Sequence, residues 1–377
     1  MKAKRLLTVS AAALCAFIAV PARVHATPPQ YTALDLGTLG GDGSSAVAIN
    51  ASGQVVGSVS TVIASTSPLN GVTLYLHVNH AVRWTGAVAE ELGALNPSYT
   101  SAGGINDSGQ LAGSFGINPQ MPVRWTGATP EILSSLGIFS GGSGINNSGQ
   151  IAGNSGDLGF FNSRAVRWTG TVAESLETPN GFSSTAIGIN GAGQVAGFIR
   201  PNSFGPVTTQ AIRWTGTVPE VLETLGGAGS QAYGINVTGD VAGSARLTGN
   251  NASHAVRWTG TTPVDLGTLG GMNSFGYGIN STGDITGMSY LADDTTQDGF
   301  LYTGGMMYDL NDLVSPNSGI SAIGVGNGAN INDLGQIAAY GTIGGYTHAL
   351  LLTPTPEPAS AVLLLGGAAL LGLRRRR

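Results

Sequence analysis

Short apolar runs broken by polar turn signals recur along this chain at a period far longer than any helical repeat. In the block Ala48-Ile49-Asn50-Ala51-Ser52-Gly53-Gln54-Val55-Val56-Gly57, two apolar runs flank Asn-x-x-Gly-Gln. That arrangement predicts a hairpin, a type I turn closed by a left-handed glycine, with the asparagine able to bond the turn backbone. The block returns with its asparagine at Asn106, Asn146, Asn190, Asn236, Asn280 and Asn332, at spacings of 56, 40, 44, 46, 44 and 52 residues. A second block, Ala-Val-Arg-Trp-Thr-Gly or a close variant, predicts a further strand and the start of a turn. It contains Trp84, Trp125, Trp168, Trp214 and Trp258, all five tryptophans of the chain, with Tyr302 in that place in the sixth unit and His348-Ala349-Leu350-Leu351-Leu352 in the seventh. A third block, Asp35-Leu36-Gly37-Thr38-Leu39-Gly40-Gly41, is nearly repeated at 265–271.

Each unit therefore predicts four strands, a hairpin pair followed by the tryptophan strand and a fourth strand that runs on to Leu-Gly-x-Leu. The chain opens with a lone fourth strand at Tyr31–Leu39, continues with six full units, and closes with a set lacking only its fourth strand. One opening strand beside three closing ones is how a β-propeller fastens its ends. The expected fold is all-β, a seven-bladed propeller of four-stranded blades; the alternative is a β-solenoid of the parallel β-helix kind, whose coils are shorter and need no complementary partial units.

Composition narrows the picture. Glycine supplies 60 of 377 residues and charged side chains only 10%, against usual shares of roughly 7% and about 25%. Disorder needs the opposite balance of charge and hydrophobicity, and the glycines lack the every-third-residue period of collagen. The formal charge of −5 conceals two populations. Lys2, Lys4, Arg5, Arg23 and Arg374 to Arg377 lie in the terminal segments, and the span 27–356 carries 8 basic against 20 acidic side chains, a net charge of −12 without a single lysine. No basic face is available to neutralise phosphates, which excludes DNA and RNA as partners.

The ends read as addresses. A basic start, an apolar stretch from Leu6 to Val20 and Val24-His25-Ala26 predict a signal peptide over 1–26, cleaved by signal peptidase between Ala26 and Thr27. Cys15, the only cysteine, falls within it, so the mature chain has no disulfide, thiol nucleophile or thiolate metal site. At the other end, Pro354-Thr355-Pro356-Glu357-Pro358 precedes an apolar run Ala359–Leu373 and then Arg374, Arg375, Arg376 and Arg377. Fifteen apolar residues are short of the ~20 that span a bilayer, which suits a temporary transmembrane helix with arginines on the cytoplasmic side. Pro356-Glu357-Pro358, the apolar run and the arginine cluster over 354–377 closely resemble the PEP-CTERM sorting signal. That resemblance implies processing by exosortase, export to the surface or surroundings of a Gram-negative bacterium, and an association with exopolysaccharide. The repeat region, 27–353, resembles the HAF-repeat family of exported bacterial proteins through its Gly-Ile-Asn-x-x-Gly-Gln and Asp-Leu-Gly-Thr-Leu-Gly-Gly blocks, and through His80-Ala81-Val82 and His254-Ala255-Val256, although the family's Phe after Ala is absent.

Candidate chemistry is sparse. Arg83, Arg124, Arg167, Arg213 and Arg257 precede each tryptophan, and Glu90, Glu131, Glu174 and Glu220 follow it by six residues in the first four units. A ring of cross-strand Arg–carboxylate pairs is expected, structural rather than ligand-binding because its placement recurs from unit to unit. The tryptophans are expected between blades rather than stacked on sugars, and the seven asparagines as turn-formers. No catalytic motif, cofactor motif or metal-ligand spacing is present, and Asp293-Asp294 with Asp298 is expected to be a solvated acidic loop, with weak calcium binding as the alternative. The departures from the repeat, an insertion at Val59–His77 and the segments Ala292–Gln297 and Asn317–Asn330, are the first places to look for a ligand. The expected function is a non-enzymatic surface or matrix protein, partnered by exopolysaccharide or other surface proteins. A secreted polysaccharide-acting enzyme is the alternative, and it would need a convergent pair of carboxylates.

Overall fold

The computed structural model describes residues 28–66, 73–93, 99–116, 119–157, 163–202 and 208–356. The expected signal peptide with Ala26 and Thr27, and residues Glu357, Pro358 and Arg374 to Arg377 of the expected sorting signal, lie outside these, whereas Pro356 is described and exposed.

Among the described residues, twenty-eight strands form seven four-stranded antiparallel blades in chain order. Blade 1 is Gly43–Ile49, Gln54–Thr66, Thr73–Thr85 and Val88–Glu91; blade 2 is Thr100–Ile105, Gln110–Phe115, Met121–Thr126 and Thr129–Ile132. Blade 3 is Phe139–Ile145, Ile151–Gly156, Arg164–Thr169 and Val172–Ser175; blade 4 is Phe182–Ile189, Val195–Pro201, Gln210–Thr215 and Val218–Val221. Blade 5 is Gly226–Ile235, Val241–Leu247, Ser253–Thr259 and Thr262–Asp265; blade 6 is Gly270–Ile279, Ile285–Leu291, Gln297–Thr303 and Met306–Asp309. Blade 7 takes Ser321–Gly324, Ile337–Ile343 and Tyr346–Pro354 from the end of the chain and Tyr31–Asp35 from its start, paired from Tyr31↔Pro354 to Asp35↔Leu350. The fold is the expected propeller, and the antiparallel pairing within every blade excludes the parallel solenoid. Blades 5 and 6 are additionally bridged in parallel at Ser253↔Asn273.

The core is divided among the blade interfaces, one buried cluster to each. Alternation along the third strand sets which residue faces which neighbour. Ala81 packs with Val123 and Trp125 of blade 2, whereas Val82 and Trp84 pack with Ala338 and Ala349 of blade 7. A small residue thus meets the next blade's tryptophan, and all five tryptophans are fully buried. Glycine sets the spacing near the axis. A Cβ at Gly144, Gly188 or Gly234 would lie 2.7, 2.7 or 2.4 Å from a backbone carbonyl of the following blade, so a side chain there would force first strands apart. In blades 1 to 6 a bulge in the first strand shifts the register beside this position.

Candidate functional site

The turn asparagines do more than the sequence implies. Each accepts at Oδ1 from the backbone N–H four residues on, at 2.8–3.0 Å, as the turn requires. The glycine of each turn is left-handed, with φ between 73° and 86°. Each Nδ2 then donates to the backbone carbonyl of the corresponding asparagine in the next blade, at 2.9–3.4 Å. The last of these runs from Asn332 to Asn50 O and completes a ring of seven hydrogen bonds around the axis. Inside the ring lies a cavity of about 230 Å³ walled by the isoleucines and asparagines of the repeat. Beside it Asp107 accepts from Ala51 N and Asp333 from Ser281 N, tying adjacent turns together.

The arginine ring is likewise structural. Arg83 ↔ Glu90, Arg124 ↔ Glu131, Arg167 ↔ Glu174 and Arg213 ↔ Glu220 are directly opposed across the third and fourth strands and ion-paired. Each arginine also donates through Nη1 to the turn-glycine carbonyl of the next blade: Gly109, Gly149, Gly193 and Gly239. Arg257, which has no glutamate opposite, lies 3.7 Å from Asp240 instead. Four tryptophans donate Nε1 to the carbonyl just past the preceding blade's fourth strand, at 2.7–3.0 Å. For Trp84 the equivalent carbonyl, that of Gly37, is taken by Ser44 Oγ, and its N–H finds no acceptor among the described residues. No sugar can stack on rings buried in this way.

A second cross-strand position carries His80–Glu91, His254–Asp265 and His348–Asp35, each at 2.9 Å, the last joining the two ends of the chain. In blade 6 the histidine is replaced by Asp298, which faces Asp309. Burial first, and then the neighbouring Asp309 carboxylate, push the Asp298 carboxyl above its ordinary value. Sequence reading missed this acid couple because the two residues become neighbours only through strand pairing; the break in the His pattern was the available signal.

Two of the three irregular segments, Val59–His77 and Ala292–Gln297, join second to third strands, and such turns lie with the connections between blades at the opposite ends of the strands from the asparagine turns. Asn317–Asn330 instead runs from the connection after blade 6 through the first strand of blade 7 to the asparagine-turn end, where Ala329 lines the axial cavity. All three are more ordered than loops. The Val59–His77 insertion is mainly a lengthening of blade 1's hairpin, whose strands pair from Gln54↔Thr85 out to Thr66↔Thr73. In Ala292–Gln297 the Asp293 carboxylate accepts from Thr295 N, Thr296 N and Thr296 Oγ1, which hold it well below the usual carboxylate range, and Asp294 accepts from Met272 N. Asn330 is fully buried and bonded to Thr286 Oγ1 and Gly326 O. Among the described residues no three His, Cys, Asp or Glu side chains are grouped to hold a metal, and no helix is long and apolar enough to cross a membrane.

At the ends of the strands opposite the asparagine turns, a cavity of about 370 Å³ opens between blades 2 and 3 over the first strand of blade 3. Ser101, Ser114, Gln120, Phe139, Ser143 and Asn154 contribute to its walls, and no ionisable side chain lines it. None of the candidate segments reaches it.

No family model matches the chain, and no curated protein matches it. Among solved structures, TolB from Acinetobacter baumannii is similar over 79% of this chain and 80% of its own, with 11% identity and a TM-score of 0.39.

Proposed function

We propose that this chain is an exported, exosortase-sorted protein of a Gram-negative bacterial surface or extracellular matrix, serving as a non-enzymatic binding or structural propeller associated with exopolysaccharide. The observation that carries this reading is the coincidence of the folded ring with the span between the two addresses. The ring begins at Tyr31, a few residues after Ala26, and ends at Thr355, whose N–H and Oγ1 both bond Gln30 O beside Pro356. Its recurring asparagines, arginines and tryptophans hold blades together rather than face a substrate. Signal peptidase and exosortase then act on tails beyond the ring's closing blade, and the C-terminal segment anchors the protein only until it is cut.

The test is the intact mass and location of the mature protein, with and without residues 354–377. The expected mature form begins at Thr27 and lacks Arg377; an exported form retaining Arg377 overturns the sorting reading. The enzyme reading rests on Asp298 and Asp309. It predicts release of reducing ends from a polysaccharide that Asp298→Asn abolishes, and binding without turnover excludes it.

A further inference from the structure

In blades 1 to 6 the residue five before the ring asparagine pairs across the first two strands with the residue eight after it. The pairs are Ser45↔Ser58, Ser101↔Ser114, Gly141↔Asn154, Thr185↔Phe198, Gln231↔Ser244 and Phe275↔Met288; in blade 7 Gly324 faces Tyr340. Blades 4, 6 and 7 place a large side chain here, and in blade 5 Gln231 accepts from Tyr233 OH at 2.6 Å. Blades 1 to 3 carry only serine, glycine and asparagine. Gly141 has no side chain where its neighbours in the ring have one, and a Cβ there would lie 3.2 Å from Ser114 Cβ and 3.9 Å from Gln120 Nε2, among the residues that wall the cleft. Gly141 thus forms part of the wall of the cavity between blades 2 and 3, where a Cβ would press on Ser114.

Its polar groups are held in place and only partly used. Ser101 Oγ and Ser114 Oγ are 2.8 Å apart, and Gln120 Nε2 donates to Ser114 Oγ at 2.8 Å, which orients the Gln120 amide and leaves its other end unbonded among the described residues. Asn154 Oδ1 accepts from Ala186 N at 2.9 Å, so its Nδ2 is left to donate. Ser143 Oγ has no protein partner among the described residues. The wall thus offers a donor, an acceptor and a hydroxyl beside the half-buried Phe139 ring.

We infer that the cleft between blades 2 and 3 is a binding subsite for a neutral hexose unit of a polysaccharide. The inference names a ligand class for the matrix-binding reading above and rests on it. A neutral sugar presents hydroxyls that both donate and accept, and an apolar C–H face for an aromatic ring. The cavity falls within the ~300–1,000 Å³ of small-ligand sites. A charged ligand would bring an uncompensated charge into a cleft without ionised groups, and a purely apolar one would strip water from hydroxyls and amides without replacing it.

The experiment uses the full mature chain in calorimetric titrations with neutral glucan, mannan and galactan oligosaccharides, and with oligogalacturonate and sulfated oligosaccharides as charged probes. Binding of at least one neutral probe, with charged probes weaker, is expected. Gly141→Gln, which installs the side chain of blade 5, should fill the cleft and weaken binding at least about tenfold. Ser143→Ala should weaken it by a few-fold with unchanged melting temperature, so the test survives even if Gly141→Gln folds poorly. Ser45→Gln, at the equivalent place in blade 1, should leave binding unchanged. Preference for charged probes, absence of neutral binding, or full binding in folded Gly141→Gln and Ser143→Ala would each overturn the assignment. Surface display is measured separately: display without neutral binding overturns the subsite alone, and neutral binding without export overturns the sorting reading alone.

Discussion

Replacing Asn190 by alanine removes one link of the axial ring. The Asn190 side chain is 4% exposed and makes four hydrogen bonds. Oδ1 accepts from Ala192 N at 3.1 Å and Gln194 N at 3.0 Å, and Nδ2 donates to Gln194 Oε1 at 2.9 Å and Asn236 O at 3.0 Å. At about 1 kcal/mol net for each bond the gross loss is about 4 kcal/mol. Part of it is recovered, because exposed Ala192 can turn its N–H to water and Asn236 O keeps Gly239 N at 3.1 Å. The expected destabilisation is ~2–4 kcal/mol, a large part of the ~5–15 kcal/mol of a typical domain. Urea unfolding followed by tryptophan fluorescence measures it. Asn190→Asp separates the turn from the ring. It keeps both acceptor bonds but points its second oxygen at Gln194 Oε1 and Asn236 O, so the charged form is disfavoured and the folded pKa of the new carboxyl is raised. Its deficit relative to wild type should therefore grow as pH rises above the ordinary carboxylate value and shrink below it, where a protonated oxygen can donate. An Asn190→Ala deficit below about 0.5 kcal/mol, or an Asn190→Asp deficit indifferent to pH, would refute the ring as a source of stability.

Gly188→Ala should destabilise by about 1–3 kcal/mol, since its Cβ would lie 2.7 Å from Tyr233 O. Gly191→Ala, with open space around it and φ outside the left-handed region, should be neutral or stabilising by about 0.4–1 kcal/mol; thermal melting of the two variants gives the comparison. Arg167→Gln should cost ~1–2 kcal/mol in urea, from the partly exposed Glu174 pair and the bond to Gly193 O, with only the ion-pair part fading in high salt. Tyr31, buried in the closing strand and bonded to Gly335 O, has its hydroxyl pushed by burial, and secondarily by Asp284, from 10 up to about 12. The unfolded chain then loses this proton before the folded one, so stability is full below pH 10 and falls as pH rises toward about 12. Circular dichroism across that range should show Tyr31→Phe losing less stability than wild type, and equal losses would discount Tyr31.

Much of the fold was legible because each blade is a local hairpin pair plus two short strands, and local pairing is what a repeat encodes. The left-handed turn glycines, the opposed Arg and Glu residues and the buried tryptophans all follow from strand alternation and turn chemistry within one unit. The hidden features join residues of different units or depend on lateral pairing. Asn190 looks like a turn residue because three of its four side-chain hydrogen bonds are local; the one that reaches Asn236 is not. Arg257 has no glutamate six residues past its tryptophan; the nearby Asp265 pairs with His254, and Arg257 turns to Asp240. In sequence the Val59–His77 insertion shows only as a departure from the repeat, whereas cross-strand bonding makes most of it an extension of blade 1's hairpin.

By itself, the sequence determined the number of blades, the order of strands and the blade that is split between the two ends, since these follow from counting a periodic pattern. It also placed most of the basic side chains at the two ends, outside an acidic body. Only the tertiary structure decided how the blades hold one another. The asparagine ring, the reach of each arginine to the next turn and the hydroxyl-lined space beside Gly141 depend on the rotation and separation of neighbouring blades. Those are set by side chains some 40 residues apart meeting across an interface, and no local pattern encodes that meeting.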